Sequence, residues 1–445
     1  TAGSLFIGLP GEHAVGADVT AAAAARGAAS AVIGHDAEAD LTRIVVPDAL
    51  GALAGLARAL VDEEAGRGMA TLAVTGSSGK TSTKDLLAQV LEHFGPTVSP
   101  TGNHNNEIGV PLTACGIDER TRFLVAEMGA RGIGHIRRLC RMVPPRVAAV
   151  LNIGTAHLGE FGSREAIARA KSEILEALPA DGWAVLNDDD EYVAAMSGCT
   201  SARIARWAVG RPANPAELAV WADDVVLDAL QRGSFMLHAL RQGVHGRTPV
   251  RLGVIGAHQV PNAVAAATMA MAVGAPLADV GRALGGARTR SPLRMELAET
   301  DSGAAIVNDC YNANPDSMAA ALRTVAAMGA ARKDVAPGAR LIAVIGDMAE
   351  LGRDAEALHE GIGSLAASLG YDEVVAVGEY ARFIAAGARG SAPSGTRARV
   401  ADKGDIAGSL ELGPGDVVLV KASRVLALED VTAQLIGRDE EGTAR

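Results

Sequence analysis

Short apolar runs alternate with stretches of helical period along most of the chain, and many of these runs end in a polar or glycine-rich loop. Residues 4–33 read as strand, glycine-rich loop, alanine-rich helix and strand. Residues 50–60 form an apolar helix, and 63–68 a polar hinge. Thr71 to Val74 is strand-like, and beyond the next loop Leu86, Leu87, Val90, Leu91 and Phe94 recur on one side of a helix. Residues 122–129 make a short buried strand ending in Glu127; 147–157 repeat the layout, with Asn152, Gly154 and His157 in the loop. A helix follows Ser163, a plausible N-cap. At 100° per residue Ile167, Ala170, Ile174, Leu175 and Leu178 form one apolar arc, with Glu165, Arg169, Glu173 and Glu176 opposite. Lys171 falls inside that arc, where a lysine snorkels, pairs with a carboxylate or gives up its charge.

Trp183 to Asn187 is a further strand with an acidic end, Asp188 to Asp190. Residues 200–255 alternate in strand fashion before 256–262, where Pro261 suits the first turn of an alanine-rich helix. From Ser291 onward, strand runs at 304–308, 341–345, 373–377 and 416–420 alternate with helices at 317–328 and 354–369. That is a small doubly wound unit. The pattern predicts an α/β protein with units at 1–66, 67–290 and 291–445, the central one built on a mostly parallel sheet.

Composition sharpens this picture at a few points. Hydrophobic residues make up 49% of the 445 residues but aromatics only 3%, which suits close-packed α/β layers. A net charge of −11 argues against a dedicated nucleic-acid binder. Cys115, Cys140, Cys199 and Cys310 show no C-x-x-C spacing, so neither a zinc site nor a disulfide framework is indicated, and a reducing cytosol fits. No uninterrupted apolar run is long enough to span a membrane, and no signal peptide is evident.

The candidate chemistry centres on Thr75 to Asp85, a strand, a glycine loop, Lys-Thr and a helix. Gly76 and Gly79 allow the backbone amides of Ser77, Ser78 and their neighbours to turn toward anionic oxygens at a helix N-terminus. In such a loop Lys80 reaches the β- and γ-phosphates, Thr81 ligates Mg²⁺, and Ser82 follows in the first turn. Val74 stands where the strict phosphate-loop pattern has glycine. The amide-rich loop 101–111 gathers Asn103, Asn105, Asn106 and Glu107 as ligand candidates. Glu127 and His157 lie where α/β folds bind ligands, beyond the carboxyl ends of strands. His258 and Asn262 share a helix face at i, i+4; Arg294 lies between units, where a guanidinium can swing onto phosphate. Ordinary alternatives stay open: a surface turn at 10–18, an arginine partner for Glu127, a solvated Arg294.

Taken in order, TGSSGKTS (75–82), TGNHNNEIGVP (101–111), EMG (127–129), NIGTAHLGEFGS (152–163), AKSEI (170–174), GAHQVPN (256–262) and DCYNANPDSM (309–318) span nearly the whole chain. Together with the Arg294 region they resemble the Mur ligases, ATP-dependent amide-forming enzymes of peptidoglycan precursor synthesis. YNANP with GDMAELG (346–352) resembles the branch that joins D-Ala-D-Ala to UDP-N-acetylmuramoyl-tripeptide, and the D-N-P-R motif of the diamino-acid branch is absent. The resemblance implies an N-terminal uridine-nucleotide domain, a central ATPase domain and a C-terminal Rossmann-like domain. It implies ATP and Mg²⁺, with Glu127 and His157 as metal ligands and Lys171 as a carbamylated third. It places His258 and Asn262 beside adenine, and Arg294 and Asp309, with Tyr311 and Asn312, on the nucleotide. A monomeric cytoplasmic enzyme working through an acyl phosphate is expected. Gln259 departs from the family's usual Asn. The family's D-S-R segment is not in the sequence, so a partial uridine domain is expected. A P-loop ATPase of non-ligase function, or a folylpolyglutamate-type ligase, is the competing reading.

Overall fold

The computed structural model describes residues 2–9, 19–36, 38–102, 104–154, 158–390 and 395–437. Three sheets organise the chain. The first is parallel and small: β1 (Leu5–Gly8), β2 (Ser30–Ile33) and β3 (Thr42–Val45), in that order. The second holds β4 (Ala70–Thr75), β5 (Thr97–Val98), β6 (Phe123–Glu127), β7 (Val147–Val150), β8 (Trp183–Asn187), β9 (Arg203–Val209), β10 (Leu218–Leu227), β11 (Gly233–Arg241) and β12 (Val244–Arg251). Its order is β12-β11-β10-β9-β8-β7-β4-β6-β5, parallel from β5 to β10 and antiparallel across the β10–β12 excursion. The third holds β13 (Glu296–Glu299), β14 (Ala305–Asn308), β15 (Leu341–Gly346), β16 (Glu373–Val377), β17 (Arg397–Val400) and β18 (Val417–Lys421), ordered β13-β14-β18-β15-β16-β17. Only its edge strand β13 runs antiparallel. The protein is thus α/β with mixed sheets.

The central strands are apolar throughout because helices cover both faces. Leu72, Val74, Phe123, Val125, Val147 and Ala149 point to one side, and pack with the helices Lys80–Glu92 and Gln259–Ala272. Ala73, Leu124, Ala126, Ala148 and Val150 point to the other, under His135–Met142 and Arg164–Glu176. Alanine richness has a geometric role here. Ala263, Ala266, Ala267 and Ala270 are fully buried, and side chains that small let their helix approach Lys80–Glu92 closely. Each buried leucine facing them, such as Leu87 or Leu91, contributes about 1.5–3 kcal/mol of apolar transfer.

Some local expectations change. The helix expected at 50–60 runs Ala49–Gly66, so most of the expected polar hinge is its last turn. Arg67 closes it with bonds to Glu63 (2.7 Å) and Glu64 (2.6 Å), and the chain turns at Gly68, φ +103°. Ala57 and Val61 of this helix sit in the central core. Strands β3, β5 and β17 showed no clear pattern: every β3 side chain is exposed, and in β17 Arg397 and Arg399 both pair with Glu373 of β16. The loop at 10–18 lies outside the described residues.

Candidate active site

The phosphate loop forms where β4 stops and Gly79, φ +78°, opens the helix Lys80–Glu92. Its shape is held from the side by the strand-end loop after β7. Ser77 N–H donates to the Asn152 carbonyl (3.1 Å), Ser78 N–H to Asn152 Oδ1 (3.0 Å), and Gly154 N–H to Ser77 Oγ (2.9 Å). Glycine at 79 is a packing requirement as well as a turn. A Cβ there would lie 2.5 Å from Asn262 Oδ1. Lys80 folds back so that Nζ donates to the Gly76 carbonyl at 2.7 Å. Burial lowers its pKa, Glu127 acts in the opposite direction, and Arg294 lowers it further.

These residues line one cleft of about 1010 Å³ between the second and third sheets. Glu127, at the end of β6, is 1% exposed. Its Oε1 accepts from Asn105 Nδ2 at 2.8 Å, while Oε2 is buried without a partner among the described residues. Lys171 is 2% exposed. Its ammonium is strongly disfavoured, first by burial and then by the like charge of Lys80. From the third sheet's side, Arg294 Nη2 donates to Thr81 Oγ1 at 3.2 Å, its guanidinium lies 4.3 Å over the Tyr311 ring, and its buried Nε has no partner among the described residues. Among the described residues the cleft therefore holds an orphaned carboxylate oxygen and an orphaned guanidinium N–H beside the N-terminus of the helix Lys80–Glu92. That donor set fits a polyphosphate and a divalent cation. Among the described residues no group of three His, Cys, Asp or Glu could hold a metal.

Two comparisons settle the lineage. The Mur ligase middle domain matches residues 74–270, and the Mur ligase glutamate ligase domain matches residues 293–424. The chain belongs to the Mur ligases. This Mur ligase is 42% identical to the UDP-N-acetylmuramoyl-tripeptide--D-alanyl-D-alanine ligase of Mycobacterium tuberculosis, over 100% of this chain and 91% of the relative. The Escherichia coli protein of the same name is 34% identical over 100% and 92%. Among solved structures, MurF from Acinetobacter baumannii superposes with a TM-score of 0.82 at 30% identity, covering 98% of this chain and 92% of the other. MurF ligase from Thermotoga maritima in complex with ADP gives 0.76 at 25%, covering 99% and 96%.

Most expected site residues of this Mur ligase meet in the cleft: Ser77 to Ser82, Asn105, Asn106, Glu107, Glu127, Lys171, His258, Asn262, Arg294, Asp309, Tyr311 and Asn312. Asn103 and His157 lie outside the described residues. Several have local duties as well. Asn106 Oδ1 accepts from the amides of Ile108 (3.2 Å) and Gly109 (2.8 Å). Asn262 accepts from Thr83 (3.3 Å) and donates to Gln259 (3.0 Å), so it braces the phosphate loop from behind. Burial chiefly lowers the pKa of His258, whose buried Nδ1 has no partner among the described residues. Glu173, expected on the polar face, is 1% exposed. Its carboxylate accepts from the amides of Gly134 (2.6 Å) and Arg137 (3.0 Å) at the start of a neighbouring helix.

Sequence reasoning passed over Lys421. It ends β18 and is 1% exposed; Nζ donates to Asp309 Oδ2 (2.6 Å) and to the Asn312 carbonyl (2.8 Å). The same strand-end rule that singled out Glu127 would have found it. Because Lys421 is a buried partner of Asp309, Lys421→Met is expected to cost about 3–5 kcal/mol, leaving a carboxylate uncompensated. Denaturant unfolding reads this, and adding Asp309→Asn should recover much of the loss. A single variant of unchanged stability would show that the pair is not what holds the 309–312 turn.

Proposed function

We infer that this protein is an ATP-dependent ligase joining D-Ala-D-Ala to UDP-N-acetylmuramoyl-tripeptide in peptidoglycan precursor synthesis. The observation that carries this reading is the meeting of Arg294 with Thr81 in a cleft built by both matched domains, in a chain 42% identical end to end to a ligase of that name. The domains are proposed as 1–66 for the uridine nucleotide, 67–290 for ATP and 291–445 for the incoming amine. Among the described residues no helix is long and apolar enough to cross a membrane, and a monomer acting in the cytoplasm is part of the proposal.

The chain's residues divide the work. The loop amides and Lys80 hold the ATP phosphates, and Lys80 with Arg294 neutralises charge that develops as the tripeptide carboxylate takes the γ-phosphoryl group. Mg²⁺, with Thr81, Glu127, His157 and a carbamylated Lys171 as its proposed ligands, supplies further positive charge against those oxygens. Asn105 orients Glu127. His258 and Asn262 lie on the proposed adenine side, and the 103–107 loop on the side of the UDP-linked peptide. The amine of D-Ala-D-Ala then attacks the acyl carbon and phosphate leaves. Walls that exclude water protect the acyl phosphate until then.

Phosphate release over a panel of UDP-linked peptides and amines tests the reading. D-Ala-D-Ala with the tripeptide is expected to support turnover, and a single diamino acid is not. Turnover with the diamino acid alone would place the chain on another branch, and release without any amine or peptide would favour a non-ligase ATPase.

A further inference from the structure

The segment 347–352, part of GDMAELG, is an arm reaching from the third sheet to the short helix Leu158–Phe161 that follows the second. Its base is fixed at both sides. Asp347 accepts from the amides of Glu379 and Tyr380 (both 2.9 Å), and Met348 N–H donates to Nε2 of the fully buried His359 at 2.8 Å. Beyond that base Glu350 adopts φ +62°, a strained conformation for a side chain of its size. It lines the cleft with Arg131, whose Nε lies 3.5 Å from its carboxylate. Gly352, φ +66°, then meets Gly159 of the short helix Leu158–Phe161 with no room to spare. A Cβ on Gly159 would stand 2.8 Å from Gly352 N and 2.9 Å from its Cα.

We propose that this arm is the seam that closes the cleft: the Gly159–Gly352 contact sets the closing distance, and the partly exposed Arg131–Glu350 pair aligns it. These are positioning residues, and the proposal rests on the ligase reading above. Two fates compete for the acyl phosphate. In the productive one, the amine nitrogen bonds to the acyl carbon, the carbon–oxygen bond to phosphate breaks, and the nitrogen loses its proton. In the wasteful one, a water oxygen makes that bond, returning the carboxylate and phosphate with loss of a proton. A seam that closes before the amine attacks decides between them. Glycine is needed at 159 because backbone meets backbone there. Neither side is a flexible chain end that could move aside.

Gly159→Ala is the test, since Gly159 has no left-handed φ to strain. The variant is expected to keep its Tm and its KM values for ATP and the UDP-tripeptide within about twofold. Amide formation should fall tenfold or more, while the ratio of phosphate released to amide formed rises above one. Loss of phosphate release and amide formation in equal measure, or wild-type coupling, overturns the proposal. Arg131→Glu and Glu350→Arg should each uncouple, and the double exchange should restore coupling. A double variant still impaired, with a raised KM for D-Ala-D-Ala, would make Glu350 a substrate contact instead. Small-angle scattering separates this from failure of the ligase reading. Whatever the acceptor, adding ATP and the UDP-tripeptide should compact the wild type but not Gly159→Ala, and equal compaction sinks the seam.

Discussion

Lys171→Ala is expected to lose ligase turnover by roughly a hundredfold or more, and to regain part of it in formate or acetate. The reasoning starts from burial. Lys171 is 2% exposed, and the charge acting on its amine is that of Lys80, of the same sign. An ammonium there is penalised twice, and it would also repel a cation beside the orphaned Glu127 oxygen. A neutral amine adds CO₂ to give a carbamate, which turns the misfit into an anion. The alanine variant leaves room for a small carboxylate in its place. Lys171→Arg keeps the charge, fills the space and should stay inactive. A carbamate signal from ¹³C-bicarbonate, absent in both variants, gives a readout independent of activity. Wild-type activity of Lys171→Arg would defeat the idea.

The same lysine sets a pH dependence whose sign follows from linkage. Its folded pKa lies below the ordinary value, so between the two values the unfolded chain binds more protons than the folded one. CO₂-depleted protein should therefore gain stability as pH rises through that window, and Lys171→Met should flatten the slope. Thermal unfolding across an alkaline series measures both.

Lys80→Ala is expected to reduce turnover by about 10²–10³ or more while changing stability by no more than about 1 kcal/mol. The small stability effect follows from its environment. Lys80 is half-buried, makes its bond to the Gly76 carbonyl, and is held at a lowered pKa by burial. Removing it relieves an unfavourable ammonium and frees one carbonyl in a solvent-reached cleft. The catalytic loss is large because that charge counts only against the phosphoryl oxygens of the reacting complex. Near-normal turnover in folded Lys80→Ala would remove the phosphate-loop reading.

Much of the site was legible along the chain because its parts obey local rules. Glycines before Lys-Thr at a strand–helix junction mark a phosphate loop whatever surrounds them, and strand ends in an α/β sheet collect polar groups that have no core to face. The helical period alone put Lys171 among Ile167, Ile174 and Leu178. It could not separate Lys171 from Glu173, which is buried as deeply. Angle around a helix says which way a side chain points but not what stands opposite. For Glu173 the neighbouring helix offers two amides, whereas Lys171 meets another ammonium. Only tertiary structure decided that one is a satisfied brace and the other a buried amine beside a like charge. The same holds for pairs far apart in sequence, Arg294 on Thr81, Lys421 under Asp309 and Gly352 against Gly159. The first and last depend on how the third sheet docks on the second, a placement set by the sum of many contacts, and the Lys421 pair on β18 lying beside β14 within the third sheet. No spacing along the chain encodes it.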